Sequence, residues 1–263
     1  MFNFNQVGRS VFSTKGGHFM RFLVCSILVL CALAGAQDPA NVLIYYDDYA
    51  GYGTAVNTAA ANLWPSANIE SYSGEPGGQQ AAFNSALDGL GAGWDIIVIE
   101  SWYATGNDLY WGGIIDLYDT GAARIYASTW QWASGTAGQG TLANNMGVTG
   151  FAGFGAPVIP HYAWEPAHPI ADGITDWGWG DPGLGILNAR FTVSDAVPVT
   201  GWTASATVGE AGICVANDGY SVISGYTPAY ANESVAIWEN ILSFMWGTSA
   251  LQQSTWGAIK SSF

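Results

Sequence analysis

Between residues 41 and 128 the chain repeats one pattern: an unbroken apolar run, a turn rich in Gly or Asp, then a segment with apolar positions three and four apart. Val42 to Tyr46 ends in Asp47-Asp48 and the turn Gly51 to Gly53, and Thr54 to Leu63 is rich in helix-forming Ala. Asn68 to Tyr72 is a short strand. After the loop Ser73 to Gly78, Gln79 to Leu90 places Ala82, Phe83, Ala86, Leu87 and Leu90 on one helical face. Asp95 to Glu100 holds four consecutive β-branched or aliphatic residues without alternation, the signature of a central strand covered on both faces. Asp108 then caps a helix to Thr120, with Tyr110, Trp111, Ile114, Ile115 and Tyr118 inward and Gly121 closing it. Ala123 to Ser128 is the next strand. Repeated right-handed βαβ crossovers predict an α/β, three-layer sandwich around a mostly parallel central sheet.

The pattern weakens from Gly135 to Asp195, where Gly, Pro and Trp crowd short apolar pieces such as Pro157 to Ile159; this reads as long loops and short strands. Val199 to Val208, Gly212 to Ala216 and Tyr220 to Ser224 read as strands, the last two joined across Asn217-Asp218-Gly219, so antiparallel additions are expected near the C-terminus. Val235, Trp238, Ile241, Leu242, Met245 and Trp246 keep helical spacing up to Gly247.

Composition changes the picture at the N-terminus. Arg21, the apolar stretch Phe22 to Leu33 and Ala34-Gly35-Ala36 form an export signal, residues 1–36, with Gln37 as the mature start and Met20 as an alternative initiation site. That stretch is well short of the roughly 20 residues a membrane helix needs, so a secreted or cell-surface protein without transmembrane anchoring is expected. Residues 37–247 then make one domain and 248–263 a flexible tail, with Trp256 to Lys260 as a docking or sorting element in the alternative.

Only Arg124, Arg190 and Lys260 follow Ala36 whereas all twenty Asp and Glu do, a balance of −17. Nucleic acid and anionic membrane are excluded as partners, because both are polyanions read by clustered Lys and Arg. Cys25 and Cys31 belong to the signal, which leaves Cys214, in an apolar run, as a core thiol without a disulfide partner.

The order of elements resembles the class I glutamine-amidotransferase-like superfamily, particularly its trehalose-utilisation-type (ThuA-like), flavodoxin-like branch. The resemblance rests on the strand ending in Asp47-Asp48, on Trp94 to Glu100, on Ala167-His168-Pro169-Ile170 with Gly173-Ile174, and on Val222 to Pro228 before the last helix. It covers most of residues 41–247 at the level of fold. Active members carry a cysteine on a tight turn after a central strand and a later His-x-Glu pair. Here the corresponding turn reads Ser128-Thr129-Trp130-Gln131, and Gly225 to Glu233 holds no histidine. The resemblance therefore implies a degenerate member without glutamine hydrolysis.

Ligands of open α/β sheets gather beyond the carboxyl ends of the strands, which brings forward Asp47, Asp48, Glu100, Trp102, Thr129 and Trp130. His161 and His168 are the only histidines after the signal; His161, beside Trp164, is the better functional candidate, and His168 before Pro169 reads as a turn residue. Thirteen Trp and thirteen Tyr suit sugar rings, whose C–H faces stack on aromatics, and suit equally well a domain that covers its loops with Trp. The main expectation is thus a non-catalytic binding or accessory module for a glycan or cell-surface component, with ligand contacts from Asp48, Glu100, Trp102, Thr129, Trp130, His161 and Trp164. The alternative is an extracellular hydrolase using Asp47, Asp48, Glu100 and His161. No cofactor is required; calcium on the carboxylates is the one ion considered, since hard cations take oxygen ligands. Asn232-Glu233-Ser234 matches a glycosylation sequon and equally a helix cap.

Overall fold

The computed structural model describes residues 38–48, 51–89, 93–129, 131–132, 137–155, 160–179 and 187–247. The export signal, Leu90, Trp130, Pro157 to Ile159 and the tail from Thr248 lie outside the described residues.

A seven-stranded sheet forms the middle layer of an α/β fold. Its strands are β1 (Asn41–Tyr46), β2 (Asn68–Ser73), β3 (Ile96–Ser101), β4 (Arg124–Thr129), β8 (Val197–Pro198), β10 (Ile213–Val215) and β11 (Val222–Ser224), in the order β2-β1-β3-β4-β11-β10-β8. The first five in that row are parallel; β10 and β8 join antiparallel. Burial explains the unbroken apolar runs: even-numbered residues of β1 and β3 face one helical layer and odd-numbered residues the other, so both sets must be apolar. One layer holds α1 (Ala55–Leu63) and α5 (Ser234–Gly247), packed through Val56, Ala59, Ala60, Ile237, Trp238 and Ile241. The other holds α2 (Gln80–Gly89), α3 (Trp111–Asp119) and α4 (Gln139–Asn145), packed through Phe83, Leu87, Ile114, Tyr118 and Leu142. Among the described residues no helix is long and apolar enough to cross a membrane.

The structure corrects several local expectations. Asp108 does not cap α3. It ends a 3₁₀ turn (Ala104–Asp108), and the helix entry is held from α2 instead, where Asn84 Oδ1 accepts from Tyr110 N at 2.8 Å and Asn84 Nδ2 donates to the Asp108 carbonyl at 2.9 Å. Tyr110 is consequently outside the helix and 49% exposed. Among the described residues of 135–195, two strands are longer than expected: β5 (Val148–Gly155) and β7 (Leu187–Val193) form their own antiparallel pair, with Phe151 opposite Phe191. Gly150, Gly153 and Gly155 hide β5, since glycine carries no strand preference. Of the run Val199 to Val208 only β9 (Thr200–Gly201) is strand, paired with β6 (Tyr162–Ala163). Beyond Trp202 the hydroxyls of Thr203 and Thr207 both donate to the Ser205 carbonyl and fold the chain into turns.

Candidate functional site

In a sheet of order 2-1-3-4-5 the two halves of the winding diverge between β1 and β3, and ligands enter the crevice beyond that point. β1 and β3 are paired with Tyr46 opposite Glu100, so the residues that follow both strands meet at this rim.

Asp47 knits the rim together. Its amide donates to the Glu100 carbonyl at 3.0 Å, and its Oδ2 accepts from Trp102 N at 2.6 Å and Tyr103 N at 3.0 Å, fixing the loop after β3. Two glycines permit the approach of neighbouring loops: a Cβ on Gly53 would strike the Asp47 carbonyl, and one on Gly74 would strike Asp47 Oδ1. Burial pushes the Asp47 carboxyl up to about 6, against the downward pull of the two amides. Asp48 is half-buried and accepts from Gly53 N at 3.0 Å. Both aspartates therefore serve loop geometry first.

Glu100 points to the other face. It is 0% exposed; Oε1 accepts a long hydrogen bond from Ala229 N, 3.4 Å, and Oε2 has no partner. Burial holds this carboxyl well above its ordinary range, and nearby Asp47 adds to the rise. Around it stands an aromatic cluster. The Tyr230 ring lies 4.4 Å from Trp102, 5.2 Å from Tyr52 and 6.4 Å from Trp179. The Tyr230 hydroxyl is driven far upward by burial and by the neighbouring Tyr103, Glu100, Asp47 and Asp48. The indole N–H groups of Trp102 and Trp179, like Glu100 Oε2, lack partners. Native interiors leave few such groups unpaired.

The loop carrying Trp177 and Trp179 is tied to the entry of α5. Glu233 Oε1 accepts from Thr175 N (3.1 Å), Thr175 Oγ1 (2.7 Å) and Asp176 N (2.7 Å), while Asn232 N donates to the Gly178 carbonyl at 2.7 Å. The sequon asparagine is thus engaged at the start of α5, its Nδ2 donating to Asp176 Oδ2 at 2.7 Å.

His161 is stacked on Tyr226, 4.1 Å between centroids at 16°, and packed against Trp202 at 4.4 Å. Thr200 Oγ1 accepts from Ile213 N at 2.9 Å and is hydrogen-bonded to His161 Nε2 at 2.7 Å, while His161 Nδ1 has no partner. Burial pushes this imidazole down to about 3, so it is neutral at any ordinary pH. No carboxylate hydrogen-bonds to it, and the dyad required by the hydrolase alternative is not formed. His168 accepts from Ile170 N at 3.1 Å within its own turn and packs on Phe244 of α5.

The remaining candidates disperse. Thr129 ends β4 opposite Ser101 and accepts from Gln131 N at 3.1 Å. Trp164 packs with the opposite core layer, donates to the Thr203 carbonyl at 2.7 Å and lines a small apolar cavity with Phe191 and Val193. The hydroxyls of Ser101 and Ser128 each donate to a backbone carbonyl, of Tyr103 and Tyr226. Cys214 lies in β10, buried, its thiol pushed upward by desolvation. Among the described residues no group of three or more His, Cys, Asp and Glu is placed to hold a metal ion. Tyr52 and Tyr230 were absent from the sequence-based set; Tyr230 is read only once the segment before α5 is seen to close over Glu100.

No family model matches the chain, and neither does any curated protein. Among solved structures it is similar to the cold-adapted β-galactosidase from Rahnella sp. R3, at 12% identity over 87% of this chain and 34% of that one, TM-score 0.48. A second is the β-galactosidase from Bacillus circulans sp. alkalophilus, at 11% identity over 81% and 32%, TM-score 0.46. The chain spans about a third of the length of these two enzymes. A likeness at this level is weak and decides neither activity nor ligand.

Proposed function

We propose that this chain is a secreted, non-catalytic module of amidotransferase-like type that binds a glycan at the rim between β1 and β3. One observation carries the reading: Glu100 Oε2 and the indole N–H groups of Trp102 and Trp179, all buried and unpartnered, flank one tyrosine at the position where this strand order receives ligands. A sugar brings donors, acceptors and apolar C–H faces together, which matches that set. Against catalysis stand Thr129 at the nucleophile position, a neutral His161 bonded to Thr200, and an Asp47 whose Oδ2 is committed to two amides. A glycoside hydrolase of the paired-carboxyl type would need a second free carboxyl group.

The test is a glycan-array screen of the purified protein followed by titration with tryptophan emission as readout. Retention of at least one sugar, weakened at least tenfold in Trp102→Ala, supports the reading; an array without any retained sugar removes it. N-terminal sequencing of protein recovered from culture medium tests the export signal, with Gln37 as the expected first residue.

A further inference from the structure

The field at this rim has one sign. Asp47, Asp48 and Glu100 all act on the Tyr230 hydroxyl, and no arginine among the described residues answers them: Arg190 pairs with Glu210 at 3.1 Å, and Arg124 sits at the opposite end of the strands, over the rings of Tyr220 and Trp246. A neutral sugar gains nothing from that arrangement. A cation gains twice, from the carboxyls and from the electron-rich faces of Trp102, Tyr230 and Tyr52, which stand within 5.2 Å of one another in sequence around the cluster. The unpartnered groups sort in the same way. Once ionised, Glu100 Oε2 requires a donor, and the Trp102 and Trp179 N–H groups require acceptors.

Resting on the glycan reading, we infer that the ligand is an amino sugar with a free, protonated amine, its ammonium directed to Glu100 Oε2 and its hydroxyl oxygens to the indoles of Trp102 and Trp179. Glu100 is fully buried and the two tryptophan residues are each 9% exposed, so entry requires a side chain of the Trp102, Tyr230, Trp179 cluster to move aside. Tryptophan emission therefore changes on binding. In the free protein the carboxyl escapes its isolation by holding a proton; the arriving ammonium takes over that role and the proton leaves to solvent.

The experiment titrates the purified protein, at low and at 0.5 M salt, with a β-1,4-linked glucosamine tetramer and with its fully N-acetylated counterpart. The expected result is at least tenfold tighter binding of the free amine, lost in Glu100→Gln and accompanied by a change in tryptophan emission. Equal binding of the two tetramers, or preference for the acetylated one, overturns the inference and leaves the glycan reading standing. Binding of the glucosamine tetramer that is unchanged in Glu100→Gln and abolished by 0.5 M salt also overturns it, because that is adsorption to an acidic surface. If neither tetramer binds and the array retains no other sugar, the glycan reading falls with it.

Discussion

The two ends of the central strands are built on opposite terms. At the amino end every polar group named has a partner: Asp95 Oδ2 accepts from Ala40 N (2.6 Å) and Asn41 N (3.0 Å), Ser221 Oγ accepts from Ile125 N (2.9 Å), and Asp218 Oδ1 accepts from Tyr220 N and Ser221 N, each at 2.9 Å. At the carboxyl end the same strands deliver a buried carboxyl with an unpartnered oxygen and two unpartnered indoles. Burying a polar group without a partner costs about 1–3 kcal/mol. Single unpaired atoms occur elsewhere, on Tyr126 and Trp238 for example, but three gathered around one tyrosine mark the carboxyl end as the one kept for something other than stability.

The comparison breaks most sharply at Asp47. Asp47→Ala strips the acceptor from the amides of Trp102 and Tyr103, so a loss of about 3 kcal/mol in denaturant unfolding is expected. Asp47→Asn keeps an acceptor oxygen and should retain most of that stability. If Ala and Asn behave alike, the rim is not organised by those two hydrogen bonds.

Acidity comes next. The folded carboxyl of Asp47 sits at about 6, above its ordinary value, and that of Glu100 is raised as well, so the folded state binds more protons than the unfolded chain in this range. Stability contributed by Asp47 is complete below the unfolded value near 4 and is lost as pH rises through about 6, about 3 kcal/mol at most; that from Glu100 falls in the same direction as pH rises. Asp176 and Glu233 are shifted downward and act oppositely; what they contribute is lost as pH falls from their ordinary values toward their own lower ones. Unfolding curves at pH 4.5 and 7.5 should show the protein more stable at 4.5. Glu100→Gln, neutral and similar in shape, should raise stability at 7.5 and narrow the gap. A flat profile would mean that both carboxyls are hydrated in solution.

Much of this contrast was written in the sequence, and part of it was not. The strands β1 to β4 and the helices between them follow from runs and periodicities that are local, and Asp47, Asp48 and Glu100 are legible as strand-end residues because parallel strands covered on both faces must end in their first polar positions. Trp179 and Tyr230 are brought together by a tie between residues 175–178 and 232–233, a contact across more than fifty positions that no local pattern encodes. The pair β5 and β7 was hidden for the same reason, compounded by its glycines. His161 drew notice as a rare histidine, but rarity does not distinguish an imidazole packed between aromatic rings from one placed for proton transfer; only its partner, Thr200, does.

At the well-satisfied end, Arg124 gives a control of smaller size. Its guanidinium donates to the Met245 carbonyl in the last turn of α5 and lies 4.9 Å from the Tyr220 ring and 5.0 Å from that of Trp246. A cation there opposes the helix dipole favourably and covers two aromatic faces, so Arg124→Ala should cost about 1–2 kcal/mol. Sugar affinity should not change, since the carboxyl rim is untouched. Loss of binding would show that the two ends are coupled through β4.

The smallest effect separates order from stability. Glu233 is half-buried, and its Oε1 gathers three donors from Thr175 and Asp176, holding the loop that presents Trp179 to Tyr230. Glu233→Ala removes that tie while leaving the core untouched. Because loops open locally at far lower free energy than the domain unfolds, amide exchange should rise at Thr175, Asp176 and Gly178 with no measurable change in melting. Any ligand that uses the Trp179 indole must then order the loop itself and binds more weakly, whereas one that contacts only Trp102 and Glu100 is indifferent. The ratio of affinities between Glu233→Ala and the unaltered protein thus reads out how much of the binding passes through Trp179.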